Sequence, residues 1–152
     1  MRFVFLTFLT LVSSCEKGRN ADISAHICAM DSKAVDSFVA ALKAFSEENS
    51  LLFVDSTEYI LRNRELHIEG KSEERSAFII ETTPDNPVTF LIKGKGRSYP
   101  FIASNFEYDH NRITISYFTY PKYGYDEALF NEFLDAIRLV GFEVSSSKRA
   151  CS

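Results

Sequence analysis

The chain has 152 residues, of which 45% are apolar, 14% aromatic and 25% charged, and this length is typical of one domain. The apolar content is too high for a disordered chain, and three cysteines are too few for a disulfide scaffold. The net charge of −4 gives no basis for nucleic-acid binding, for which a clustered basic face is expected.

The first fourteen residues have the pattern of a secretory signal peptide. Arg2 supplies a short positive region, and Phe3–Val12 is an apolar run interrupted only by Thr7 and Thr10. A helix that crosses a bilayer needs about 20 apolar residues, so this run is too short to be a membrane span. We therefore predict that residues 1–14 are removed as a signal peptide. The alternative is a buried N-terminal strand.

A cysteine follows this run behind two small residues. The segment Val12-Ser13-Ser14-Cys15 resembles the lipobox of bacterial lipoproteins, with Val12 at a position where leucine is usual. The resemblance implies cleavage before Cys15, a diacylglycerol thioether on its sulfur and acylation of the new N-terminus. It also implies a periplasm-facing protein anchored by lipid to a membrane of the bacterial cell envelope, and Glu16 after the cysteine favours the outer membrane. The alternative is an ordinary secretory signal, with Cys15 a free or disulfide-bonded thiol.

The next segment shows no sustained hydrophobic period. We interpret residues 15–30 as a lipidated tether. It leads to a single domain over residues 31–146, and a C-terminal tail follows over residues 147–152.

Two amphipathic helices are predicted in this domain. Apolar residues recur at helical spacing from Val35 to Phe45 and again from Leu129 to Val140. The candidate caps are Asp31 or Ser32 for the first helix, and Asp126 with Gly141 for the second.

Between the helices, the pattern changes to strict alternation or to short β-rich runs. The predicted strands lie within residues 51–61, 65–69, 76–83, 88–93, 99–108 and 112–120, with a short terminal strand at Val144. A sheet with one solvated face must bury the other, and the two amphipathic helices are the available cover. The sequence therefore predicts an α+β fold, in the order helix, five or six mostly antiparallel strands, helix.

Two cysteines remain once Cys15 is lipidated. An exported compartment is oxidising, so we predict a disulfide between Cys28 and Cys151. It would close a loop of over one hundred residues, which the chain-entropy model values at roughly 4 kcal/mol. The alternative is two free thiols.

No pattern in the chain indicates catalysis. It has neither a G-x-S-x-G nucleophile elbow nor a Walker loop, and the three cations in 93–97 fit a charged hairpin turn. The acidic residues within 65–74 fit a solvated hairpin. His26 and Cys28 form an H-x-C pair, but no second pair stands at the spacing of a zinc site. We therefore predict no catalytic residue, no metal site and no cofactor.

The most unusual stretch is Tyr117–Tyr125, which holds four of the seven tyrosines. Tyr120, Tyr123 and Tyr125 surround a Pro/Gly loop that also carries Lys122. Loop tyrosines provide large contact area at low entropic cost, with a polar tip. These four residues, Lys122 included, therefore form a candidate partner-binding surface; the alternative is aromatic packing over the end of the sheet.

The leading hypothesis is a lipid-anchored envelope protein whose non-catalytic domain binds a macromolecular partner, as inhibitors, immunity proteins and assembly factors do. The alternatives are an envelope enzyme with a dispersed site and a structural lipoprotein. An enzyme requires a deep pocket with converging polar groups of perturbed pKa. A binding protein requires an exposed apolar patch near residues 120–125.

Overall fold

The computed structural model describes residues 20–29, 31–68, 72–147 and 151. The predicted signal peptide and the predicted lipidation site at Cys15 lie outside these residues. The elements in chain order are β1 (Ile23–Cys28), α1 (Ser32–Glu48), β2 (Leu52–Asp55), α2 (Thr57–Ile68), α3 (Glu73–Glu81), β3 (Thr89–Lys93), β4 (Phe101–Ser104), β5 (Arg112–Tyr117), a 3-10 turn (Pro121–Tyr123) and α4 (Glu127–Leu139).

The strands form one five-stranded sheet in the order β1-β5-β4-β3-β2, and every neighbouring pair is antiparallel. This confirms the predicted α+β class and the antiparallel sheet. At one end of the sheet lie the β3–β4 loop, the segment after β5 and the start of β1; we call this the hairpin end. At the other end lie the β4–β5 loop and Cys28, and we call this the disulfide end.

Helices α1 and α4 cover one face of the sheet, as predicted. Both carry a stripe of buried residues, because apolar positions at helical spacing fall on one side. Phe45 of α1 meets Phe133 of α4 at a ring-centroid distance of 5.2 Å, and each also packs on Phe101 of β4. The edge-to-face geometry of Phe45 with both rings suits aromatic quadrupoles. The core therefore lies between the two helices and the sheet.

β2 lies in the first half of the stretch predicted as strand within 51–61. The segment after it is an αα-hairpin, so the second half of that prediction and the strands predicted within 65–69 and 76–83 are wrong. The run Phe78-Ile79-Ile80 resembles a strand, but only Ile79 is buried. Glu73 and Glu74 occupy the first turn of α3, where carboxylates interact favourably with the helix dipole. A short apolar run does not distinguish a helix from a strand by its period. The acidic residues predicted to lie on a strand hairpin therefore lie on two helices where the structure describes them.

Arg64 of α2 holds the two helices together. Its guanidinium donates hydrogen bonds to the Ile79 carbonyl oxygen at 2.7 Å and to the hydroxyls of Thr82 and Thr83 at 2.5 and 3.0 Å. It also stacks over the Phe106 ring, 4.8 Å from the centroid. Burial lowers the pKa of Arg64. One long side chain therefore joins α2, α3 and the loop after β4.

Part of the predicted tether belongs to the sheet. All six residues of β1 pair with β5, and Ala25 and Ile27 point into the core. The order of the elements therefore begins with a strand rather than a helix. Near the C-terminus, Ser145 forms an isolated bridge with His26, in place of the terminal strand predicted at Val144.

The predicted disulfide is present. Cys28 and Cys151 are joined with an S–S distance of 2.01 Å and a Cα–Cα distance of 5.5 Å. The backbone N–H of Cys151 also donates to the Asp109 carboxylate at 3.0 Å. The predicted C-terminal tail is therefore fixed to the disulfide end at Cys151. None of the helices in the described ranges is long and apolar enough to cross a membrane.

Candidate functional site

The face of the sheet opposite α1 and α4 carries an apolar groove at the hairpin end. Strand alternation places Leu91 and Ile102 on this face, because their neighbours Ile92 and Phe101 point into the core. The register pairs Leu91 directly with Ile102. The groove has a volume of about 310 Å³ and is lined by Leu91, Tyr99, Ile102, Phe118 and Tyr120. We call these five residues the open-face groove.

Three hydrogen bonds position the wall formed by Phe118 and Tyr120. The Phe118 N–H donates to the carbonyl oxygen of Pro100 at 2.8 Å. Between the two aromatic residues, Thr119 donates from its N–H and its hydroxyl to the Asp22 carboxylate, at 2.7 and 2.8 Å. The chain just before β1 therefore braces this wall.

The predicted aromatic loop follows directly. The Tyr120 N–H donates to the Tyr125 carbonyl oxygen at 2.7 Å, which closes the loop. Gly124 has φ +77°, a backbone conformation that favours glycine. Lys122 is exposed, and its Nζ atom lies 5.7 Å from the centroid of the half-buried Tyr123 ring. Lys122, Tyr123 and part of Tyr120 therefore reach the surface beside the groove.

Tyr125 does not belong to this surface. It is only 6% exposed, and its hydroxyl accepts a hydrogen bond from the Lys95 N–H at 2.8 Å. Its ring lies against Gly94, where any Cβ atom would collide with it. The alternative interpretation, aromatic packing over the sheet end, therefore applies to this residue. The glycines of the β3–β4 turn are the sequence signal for that close approach.

Tyr117 lies on the core face and is fully buried. Its hydroxyl donates to the carbonyl oxygen of Asp126 at 2.6 Å. Burial raises the pKa of Tyr117 far above its ordinary value, and the negative charges of Asp126 and Asp22 and the neighbouring Tyr125 add to this rise. The hydroxyl is therefore a fixed proton donor that holds the start of α4.

A network of polar side chains lies at the disulfide end. Nδ1 of the buried His26 lies 3.0 Å from the Thr114 hydroxyl, which donates to the Glu107 carboxylate at 2.8 Å. Arg112 bridges Glu107 and Asp109 at 2.6 and 3.2 Å. These contacts pin the β4–β5 loop to β5 and β1. Since Cys28 is disulfide-bonded, its sulfur is not available as a thiolate ligand beside His26.

A small polar cleft of about 100 Å³ also lies at this end, with Asp31, Asp85, Asn105 and His110 among its lining residues. The buried Asn105 side chain accepts from the Val88 N–H and donates to the carbonyl oxygens of Asn86 and His110. Its polar atoms are thus used to hold loops together. Within the described ranges, no group of three or more His, Cys, Asp and Glu residues is placed to hold a metal ion.

Sequence reasoning located the aromatic loop but missed most of the groove. Leu91, Tyr99, Ile102 and Phe118 come from β3, the residues before β4, β4 and the residues after β5. Their proximity depends on strand order and register, which local patterns do not contain. The side-chain alternation within 88–93 and 99–108 could have shown only that each strand has apolar residues on the face opposite the core.

No family model matches this chain, and no match is found among curated proteins or solved structures.

Proposed function

We propose that this protein is a lipid-anchored protein of the bacterial cell envelope whose α+β domain binds a partner protein through the open-face groove and catalyses no reaction. The observation that carries the proposal is the groove itself, in which apolar and aromatic side chains line a surface opening. Tyr99 in its wall is 37% exposed. Aromatic side chains of this kind dominate the binding energy of protein interfaces.

The size of the groove admits side chains of a protein partner. Pockets for small ligands typically have volumes of about 300–1,000 Å³, and the groove, at about 310 Å³, is at the lower end of that range. It has room for a few apolar side chains of a partner. The exposed Lys122 beside it provides the kind of polar rim that surrounds the core of an interface.

The location of the perturbed ionisable groups also favours binding over catalysis. Enzymes gather groups of shifted pKa in the cleft where they act. Here Tyr117 has a raised pKa but lies on the opposite face of the sheet, and Arg64 has a lowered pKa but lies between α2 and α3. Among the described residues lining the groove there is no carboxylate, histidine, lysine or arginine.

Two features support export and anchoring. The lipobox-like Val12-Ser13-Ser14-Cys15 provides an acceptor cysteine, and several acyl chains on one residue give the stable anchoring that a single chain does not. The disulfide between Cys28 and Cys151 suits an oxidising compartment such as the periplasm.

The test is partner capture by matched aromatic variants. The tagged protein is expressed in the native cells, cross-linked in the cell envelope and purified. Three forms are compared: the wild type, Tyr99→Ala/Phe118→Ala and Tyr59→Ala/Phe78→Ala. The second pair removes one tyrosine and one phenylalanine that are 68% and 51% exposed on α2 and α3, and neither of them lines the groove.

We expect the groove variant to recover about tenfold less partner than the wild type, since a loss of about 1.4 kcal/mol in binding is tenfold in affinity. The control pair should match the wild type. Equal recovery by the groove variant, with its disulfide formed and its thermal unfolding retained, contradicts the proposal.

A further inference from the structure

The chain enters the domain at the hairpin end. Asp22 is the last residue before β1, and its N–H donates to the Tyr117 carbonyl oxygen at 2.9 Å. Its carboxylate accepts both hydrogen bonds from Thr119. Cys15 precedes Asp22 by seven residues, and seven residues of extended chain span at most about 25 Å. A lipid on Cys15 would therefore keep the hairpin end within that distance of a bilayer.

The same end carries a group of exposed cations. Lys95 and Arg97 lie on the β3–β4 loop and Lys122 on the aromatic loop, and all three are exposed. None of them forms an ion pair with another residue in the described ranges. We call these three residues the basic tip.

The two loops of the basic tip are in contact. Lys95 donates its N–H to the Tyr125 hydroxyl, and a Cβ atom at Gly96 would lie 2.9 Å from the Tyr123 hydroxyl. The Tyr123 ring therefore lies between the β3–β4 turn and Lys122, whose ammonium group is 5.7 Å from its centroid. The packing fixes both loops as one surface.

The part of the chain that carries the basic tip differs in charge from the whole chain. Residues 86–125 contain five cations and two acids, although the chain has a net charge of −4. The two acids are Glu107 and Asp109, and both pair with Arg112 at the disulfide end. Asp22 and Asp126 also lie at the hairpin end, where the Asp22 carboxylate accepts hydrogen bonds from Thr119 and the Asp126 carboxylate caps α4. The excess of cations is therefore a property of the two loops of the basic tip, residues 94–100 and 118–125, which contain no acid.

We propose that the basic tip binds the headgroups of an anionic phospholipid bilayer and so orients the anchored domain with its hairpin end toward the membrane. This inference rests on the lipid anchor of the proposed function. Clustered Lys and Arg side chains next to a membrane attachment point are attracted to anionic lipids, and tyrosines suit the boundary between headgroups and water. The groove then opens beside the bilayer, so its partner binds near the membrane.

Resonance energy transfer can measure this orientation. The chain contains no tryptophan, so Tyr99→Trp and Tyr108→Trp each introduce a single donor, at the hairpin end and at the disulfide end. The lipidated full-length mature protein is reconstituted into vesicles of phosphatidylethanolamine and phosphatidylglycerol that contain dansyl-labelled phosphatidylethanolamine as acceptor. Phosphatidylcholine vesicles with the same acceptor serve as the neutral comparison.

We expect transfer to the membrane to be several-fold higher from Tyr99→Trp than from Tyr108→Trp in the anionic vesicles. The ratio should fall toward its value in neutral vesicles in about 1 M salt, where the screening length is about 3 Å. The triple variant Lys95→Gln/Arg97→Gln/Lys122→Gln should lower it to the same value. The matched triple Lys33→Gln/Arg62→Gln/Arg75→Gln, which removes three exposed cations from the helices, should leave it unchanged.

Flotation of the vesicles separates this inference from the anchor. Protein that floats with the vesicles but shows equal transfer from both donors, or a ratio insensitive to the basic-tip variant, overturns the orientation and leaves the anchor in place. A fall in the ratio in both triple variants also overturns it, since any cation would then serve. Protein that carries no lipid and does not float overturns the anchor, and the orientation with it.

Discussion

The hydroxyl of Tyr117 links the core to the first turn of α4. It donates to the Asp126 carbonyl oxygen at 2.6 Å from a fully buried ring. Ionisation would place a phenolate in an apolar core, close to the carboxylates of Asp126 and Asp22. The folded state therefore keeps this proton at a pH where the unfolded chain loses it.

This difference predicts how stability depends on pH. The folded pKa of Tyr117 is raised above its unfolded value of 10.0, so its contribution is fully present below about pH 10 and is lost as the pH rises further. Above that point the free energy of unfolding should fall by about 1.4 kcal/mol per pH unit from this group. Urea unfolding at a series of alkaline pH values measures it.

Tyr117→Phe should remove the contribution of this group to the fall in the free energy of unfolding at alkaline pH. The variant should also be less stable by about 1 kcal/mol at neutral pH, because the hydrogen bond to Asp126 is gone. Tyr123→Phe, at a half-buried surface ring, serves as the control and should keep the slope of the wild type. Identical alkaline slopes for the wild type and Tyr117→Phe would refute the assignment.

At the scale of elements, local sequence patterns predicted the helices that pack against one broad surface, the sheet. α1 and α4 each bury one stripe against the sheet, so their period is clear in the sequence. α2 and α3 are held instead by Arg64 and a few small contacts, and their apolar residues show no single stripe. β1 was assigned to the tether because its alternation of small and polar residues is weak, although all six of its residues pair with β5.

The candidate site also contains residues that local sequence patterns predict and residues that they do not. The position of Lys122 and Tyr123 on a loop follows from Pro121 and Gly124, which disfavour a regular element at that point. The groove could not be predicted, because Leu91 and Ile102 are neighbours only through the register of β3 and β4. Tyr125 is directed inward by its contact with Gly94, which the chain pattern around Tyr125 does not indicate.

The helix caps provide a matched test at this scale. The Asp126 carboxylate accepts hydrogen bonds from the N–H groups of Ala128 and Leu129, at 3.0 and 3.3 Å. Ser72 holds the same position before α3 but makes no side-chain cap bond. Asp126→Ala should therefore destabilise the fold by about 1 kcal/mol, and Ser72→Ala by much less. Chemical denaturation measures both; equal losses would contradict the assigned caps.

At the scale of the whole molecule, the two ends of the sheet have different roles. The disulfide end is tied by covalent and polar contacts, among them the disulfide from Cys28 to Cys151 and the Arg112 ion pairs. The hairpin end carries the groove, the basic tip and the entry of the chain at Asp22. In the proposed orientation, the disulfide end points away from the bilayer and the hairpin end lies beside it.

The disulfide should contribute strongly to the stability of the whole domain. It joins residues separated by 123 positions, and the chain-entropy model gives about 4–5 kcal/mol for a loop of that size. Cys28→Ser/Cys151→Ser should lose about that amount in urea unfolding. Adding a reductant should bring the wild type to the level of the double variant and leave the variant unchanged. A reductant-insensitive wild type would show that the bond is not formed in solution.

The most direct test of the anchored-domain account is the intact mass of the protein purified from its native envelope. We expect a chain that starts at Cys15 and carries the mass of a diacylglyceryl group and an additional fatty acyl chain on that residue. A chain that retains Met1 and carries an unmodified Cys15 would contradict the account.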